Sequence, residues 1–191
     1  MTRCSTTLAV LLLLCFAAPL ALDATARELL TAMVGVNAAG FLRGQWWTFV
    51  TYQFAHGNWS HLLLNLVSLL SVGPEVERVV GVRKFFAIYF LSGILGACVW
   101  LAVVWPLDAH LIGASASICG LLGALAALRP REKYILVFLP VALPAWLLIS
   151  ALAATQVAYL LMAGTNGNVA YTAHLAGGVA GFAIAFVLRR R

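Results

Sequence analysis

Six apolar segments alternate with polar connections along the chain: Ser5–Leu22, Trp59–Gly73, Phe85–Trp105, Ile112–Leu128, Ile135–Ala163 and Asn168–Leu188. Crossing the hydrocarbon takes about 20 helical residues, within a range of about 17–25, and most of the six qualify. The second is short, ~22 Å at the helical rise. An extension back through Phe54, or local thinning of the bilayer, would make up the difference. The fifth is long, and Pro140 and Pro144 near its start predict a bent or interfacial lead-in. Lipid offers the backbone no hydrogen-bond partners, so the segments are predicted to be helices.

The basic residues predict an orientation. Arg3, the group Arg78, Arg83 and Lys84, the group Arg129, Arg131 and Lys133, and the tail Arg189, Arg190 and Arg191 make up ten of the 12 Lys and Arg. The alternate connections carry only Arg27 and Arg43, both in the long first loop. Basic loops stay cytoplasmic, so six spans put both termini inside.

Composition narrows the class. Hydrophobic residues make up 63% of the 191 and charged residues 9%, with a mean hydropathy of +0.99. Soluble domains run at about 45–50% apolar and about 25% charged. An ordinary cytoplasmic enzyme, a disordered protein and a nucleic-acid binder are excluded. The net charge of +6 lies in short clusters between apolar runs, which marks topology and not a polyanion-binding face. Cys4, Cys15, Cys98 and Cys119 lie in or beside apolar stretches without metal-ligand spacing, so no disulfide framework or metal site is expected. The expected fold is all-α: one polytopic membrane domain over residues 1–191, its first helix at about 5–22. Residues 1–24 also share features of a secretory leader, with Arg3, the apolar run Leu8–Ala18 and small residues at Ala21 and Ala24. Cleavage there would leave the downstream topology unchanged.

Polar groups inside a membrane are costly and point to function. The notable ones are His61 and Asn65 on the second span, Ser115 and Ser117 on the fourth, and His174 on the sixth. With alternating orientation, these three spans all run from the outer face inward. Asn65, Ser115 and His174 then sit three to six residues in, ~5–9 Å deep. A serine hydroxyl needs a base, and His174 is the histidine placed to act on it from another helix. His61 and Asn65, at i and i+4, share a helical face and could donate to an oxyanion. Asp108 lies in an outer loop, so a two-residue Ser–His unit is expected. Taken singly, each residue has a plainer reading: a serine as a packing residue, a histidine or asparagine as a helix-bridging hydrogen bonder. Ser117 falls in register with Gly113, Gly120 and Ala124 as a stripe of small residues, while Ser115 shares its face with Cys119 and Leu122. Gly177 and Gly181 form GxxxG, a close-packing motif.

Three motifs carry a family resemblance: "FAHGNWSHLLLN" (Phe54–Asn65), "GASAS" (Gly113–Ser117) and "AHLAGGVAG" (Ala173–Gly181). With "GPEVERVVG" (Gly73–Gly81) and "FLSGILG" (Phe90–Gly96), they make residues 45–188 resemble the rhomboid intramembrane serine proteases. The resemblance implies a six-helix core, Ser115 as nucleophile and His174 as base. His61, Asn65 and the Ser115 amide would form the oxyanion hole. It further implies that single-span membrane proteins are cut in or near the outer part of their helix, with no metal or cofactor. Three positions depart from the usual pattern. Ala116 follows the nucleophile where glycine is common, Trp47–Thr48 stands in place of Trp–Arg, and Cys119 replaces a frequent aromatic that would stack on the histidine. The expected protein is therefore an integral membrane protease, most simply of a bacterial plasma membrane, with its site opening to the outer face and the bilayer and transmembrane substrates as partners. The rivals are an inactive relative that binds membrane helices and a small transporter. A transporter would typically show internal repeats and mid-membrane carboxylates, and the chain has neither.

Overall fold

The computed structural model describes residues 3–105, 109–136, 139–163 and 170–189. Asp108, Asn168, Arg190 and Arg191 lie outside the described residues.

Every expected apolar segment contains a helix, although the boundaries move. Helix α1 (Arg3–Ala17) continues as a 3₁₀ turn, Ala18–Ala21. The long first loop is itself structured, with α2 (Ala24–Val34), α3 (Ala38–Leu42) and α4 (Thr48–Thr51) followed by a 3₁₀ turn at Tyr52–Phe54. Asp23 and Asn37 start α2 and α3 by accepting from the amides of Ala26 and Gly40, which satisfies donors that a helix start leaves open. The remaining helices are α5 (Trp59–Val80), α6 (Val82–Val104), α7 (Ser115–Leu128), α8 (Ala145–Ala163) and α9 (Tyr171–Leu188).

The second span lengthens at the opposite end from the one expected. Asn58 caps α5 through its side chain, accepting from the His61 amide at 2.8 Å, so the helix cannot run back to Phe54. It continues instead through Pro74 to Val80, 22 residues in all and ~33 Å long. Four segments among the described residues are long and apolar enough to cross a membrane: Cys4–Ala21, Val82–Val104, Ala145–Met162 and Tyr171–Leu188. Helix α5 carries the charged residues Glu75, Glu77 and Arg78 near its C-terminal end, and α7 has only 14 residues.

The described residues are mostly helical, as expected of an all-α protein, and the fifth segment departs from that pattern locally. Its first part is no bent helix but an antiparallel hairpin, β1 (Lys133–Leu136) with β2 (Leu139–Pro144), pairing Lys133 with Pro144 and Leu136 with Leu139. Prolines cannot donate to a helix ladder, whereas a two-stranded hairpin has an outer edge that tolerates them. Helix α8 begins directly after Pro144.

Helix α7 lies at the centre, packed on α9, α6 and α5. One apolar cluster joins Leu8 and Leu12 of α1 to Leu62 and Leu69 of α5, Phe85 and Ile88 of α6, and Leu121 and Leu125 of α7. A second lies towards the site and unites Val36, Tyr52, Trp100, Leu101, Leu111, Ala116 and Ala173. On the outside, Leu161 and Met162 of α8 are 80% and 84% exposed. That exposure suits lipid and not water.

Candidate active site

Ser115 is the first residue of α7, not three residues into it. The preceding Gly113 has φ +117°, a conformation that stops a helix and that glycine adopts at no steric cost. Its amide donates to the Tyr52 carbonyl at 2.9 Å, and the Tyr52 hydroxyl donates to the Gly93 carbonyl at 2.7 Å. The 3₁₀ turn before α5 therefore fixes where α7 starts. A Cβ on Gly113 would lie 2.5 Å from His61 Nε2, so the His61 ring packs against this turn. Register with Ser117 and Gly120 predicts a place for Gly113 in a small-residue packing stripe. It instead lies outside the helix and seats a histidine.

His174 sits in the first turn of α9. Its Nε2 is 2.7 Å from Ser115 Oγ and its Nδ1 is 3.0 Å from Gln156 Oε1 on α8. The sequence reading missed Gln156, although a lone amide in the apolar fifth segment is the kind of costly intramembrane group that signals function. Tyr171 also lies beside His174, 6.5 Å between centroids with the rings at 88°, and Tyr159 stacks on Tyr171 at 5.5 Å. An aromatic neighbour for the histidine thus comes from its own helix and not from position 119.

Asn65 is buried and donates one amide hydrogen to the His61 carbonyl at 2.9 Å. Its second amide hydrogen is uncommitted by that bond. The Ser115 amide, at the first position of a helix, belongs to the donors with no intrahelical partner. His56, in the loop before α5, sets its ring edge-on to His61 at 5.0 Å. Burial, with His61 adding to it, pushes the His56 imidazole down to about 4, so it is neutral at physiological pH. No group of three or more His, Cys, Asp or Glu that could hold a metal ion occurs among the described residues.

Ser117 points elsewhere. Fully buried, it donates to Gln53 Oε1 at 2.8 Å and lies against Gly93 of α6. Behind the site the backbones of α7 and α9 nearly touch. A Cβ on Gly177 would strike the Ala116 carbonyl oxygen, and one on Gly181 the Gly120 carbonyl oxygen. Gly120 itself has Ser92 of α6 in the space a side chain would need. This contact draws the starts of α7 and α9 together.

Comparisons with known proteins place the chain in a family. The family model for the Rhomboid domain matches residues 43–191. The rhomboid-named YdcA of Bacillus subtilis (strain 168) is 32% identical over 157 residues, 78% of this chain and 70% of YdcA. The rhomboid protease GluP of the same organism is 35% identical over 113 residues, 58% of this chain and 22% of GluP. The inactive RHOMBOID-like protein 8 of Arabidopsis thaliana is 37% identical over 79 residues, 41% of this chain and 22% of that protein. The chain thus spans well under half of two of these relatives. With the match covering most of its length, and with helical segments apolar enough to cross a bilayer, the chain is an integral membrane protein that belongs to the rhomboid family.

Proposed function

We propose that the protein is an intramembrane serine endopeptidase that cuts single-span membrane proteins in or near the outer part of their transmembrane helix. The observation that carries this reading is the 2.7 Å contact between Ser115 Oγ and His174 Nε2, a nucleophile and a base delivered by two helices whose separation is fixed by glycines. A substrate helix unwinds and enters sideways between helices, presenting a peptide bond. Ser115 Oγ attacks the carbonyl carbon while His174 Nε2 takes the hydroxyl proton. The oxyanion is met by the Ser115 amide, Asn65 and His61. His174 returns the proton to the departing amine, then activates the water that releases the acyl group. Residues 1–191 act as one membrane domain with six spans and a rhomboid core at about 45–188. Both termini are cytoplasmic and the site opens outward, in a bacterial plasma membrane.

A second reading has one observation in its favour: an inactive-named relative is 37% identical over its match. A fluorophosphonate probe separates the two. It should label wild type and Ser117→Ala, and fail on Ser115→Ala and His174→Ala, which should also lose all cleavage of a helix-destabilised substrate. An unlabelled, inactive wild type would select the inactive reading. Labelling that follows Ser117 would overturn the site assignment.

A further inference from the structure

We infer that Gln156 is a positioning residue for His174, selecting the imidazole tautomer that can act as a base; this rests on the dyad reading above. A neutral imidazole carries one N–H and one bare nitrogen. To take a proton from Ser115, Nε2 must be the bare one, so the hydrogen must sit on Nδ1. Nδ1 lies 3.0 Å from Gln156 Oε1, and a carbonyl oxygen can only accept. The acceptor therefore holds the hydrogen on Nδ1, and Nε2, 2.7 Å from Ser115 Oγ, stays open.

The amide's location supports the role. Gln156 stands on α8, an apolar helix whose flanking residues Val157, Tyr159, Leu161 and Met162 are exposed on the outside of the bundle. Its neighbour Thr155 bonds back to its own helix at the Leu152 carbonyl, whereas Gln156 reaches across to α9. An uncharged acceptor does here what a carboxylate does in a soluble Ser–His–Asp site, without placing a charge at membrane depth. The opposite seating of the amide, with its NH₂ towards Nδ1, would force the hydrogen onto Nε2 and leave Ser115 without a base. The two arrangements differ in where one proton sits, and that can be read directly.

The full chain has four histidines, so ¹⁵N-histidine labelling in micelles resolves them, with His174 assigned by its loss in His174→Asn. Wild type should show His174 with hydrogen on Nδ1. Gln156→Met keeps the shape and removes the acceptor. It should move the hydrogen towards Nε2 and lower kcat roughly 10- to 100-fold at unchanged KM, short of the ~10⁴-fold loss seen when a triad histidine is locked in the wrong tautomer. Gln156→Glu restores an acceptor at the same reach and should recover most of the rate. The inference is overturned by an Nε2–H signal in wild type, by unchanged kcat in Gln156→Met, or by a Glu variant no faster than the Met variant. If Gln156→Met does not fold, the wild-type tautomer decides alone. A wild type that neither cleaves nor takes the serine probe sinks the dyad reading and this inference together. Normal wild-type turnover with an indifferent Gln156→Met removes only the role of Gln156.

Discussion

Asn65 arrives at the site with one amide hydrogen already given to the His61 carbonyl, and that shapes what its loss should do. In other enzymes, removing a single oxyanion donor costs ~10²–10³ in kcat. Here the Ser115 amide, His61 and the remaining Asn65 hydrogen would share the charge, so each is worth less than a sole donor. Asn65→Ala and His61→Ala should each slow cleavage measurably, and the double variant should slow it far more. Wild-type rates in all three variants would make both residues packing groups. The three departures from the family pattern also resolve residue by residue. The Ala116 methyl faces α6, 3.1 Å from where a Cβ on Gly96 would lie. Thr48 donates to the Gln45 carbonyl and the Trp47 indole to the Met33 carbonyl, bonds that tie the first loop without an arginine. Cys119 offers no ring to His174, and the Tyr171 ring meets it at 88° and does not stack on it.

Helices in lipid gain nothing from burying apolar surface against one another, so close packing and interhelical hydrogen bonds must hold them. The α7–α9 contact is the clearest case, since it leaves no room for a Cβ at Gly177 or Gly181. Gly181→Leu should therefore force the two helices apart, lowering stability by at least the ~1–3 kcal/mol typical of overpacking and opening the Ser115–His174 distance. Ser117→Leu should act similarly by wedging α7 off Gly93 of α6. Val179→Leu, on the same helix but 71% exposed, should be neutral. Thermal unfolding in detergent distinguishes them, and an undiminished melting temperature for Gly181→Leu would contradict the packing account.

Across the whole molecule, α5, α7 and α9 all begin at the site, since His61 lies against Gly113, two residues before Ser115, and Ser115 bonds His174. The β1–β2 hairpin follows the far end of α7, where Arg129 pairs with Glu132 and Glu132 accepts from the Tyr134 hydroxyl. If the basic connections are cytoplasmic, the site end faces outward. In a chain stripped of its native cysteines, an impermeant maleimide added outside intact spheroplasts should label Trp46→Cys and spare Lys133→Cys. The reverse pattern would invert the topology.

Much of this architecture was legible in the linear chain because the bilayer permits so few solutions. Apolar runs that must satisfy their own backbones become helices, and Ser115, His174, His61 and Asn65 were recognisable as rare polar groups on three such runs. The helix limits were not legible, because they depend on local bonds: the Asn58 cap, the Gly113 turn held by Tyr52, and the prolines that turned the start of the fifth segment into a hairpin. The roles of Gly113 and Gln156 were hidden for a related reason. Whether a glycine packs a helix or seats a histidine, and which face of α8 meets α9, depends on neighbours far away in sequence. By itself the sequence determined a helical membrane protein and the groups able to do chemistry in it. Only the tertiary structure decided that Ser115, His174 and Gln156 lie in one hydrogen-bonded line, because that alignment depends on angstrom-scale approaches between helices that no spacing along the chain encodes.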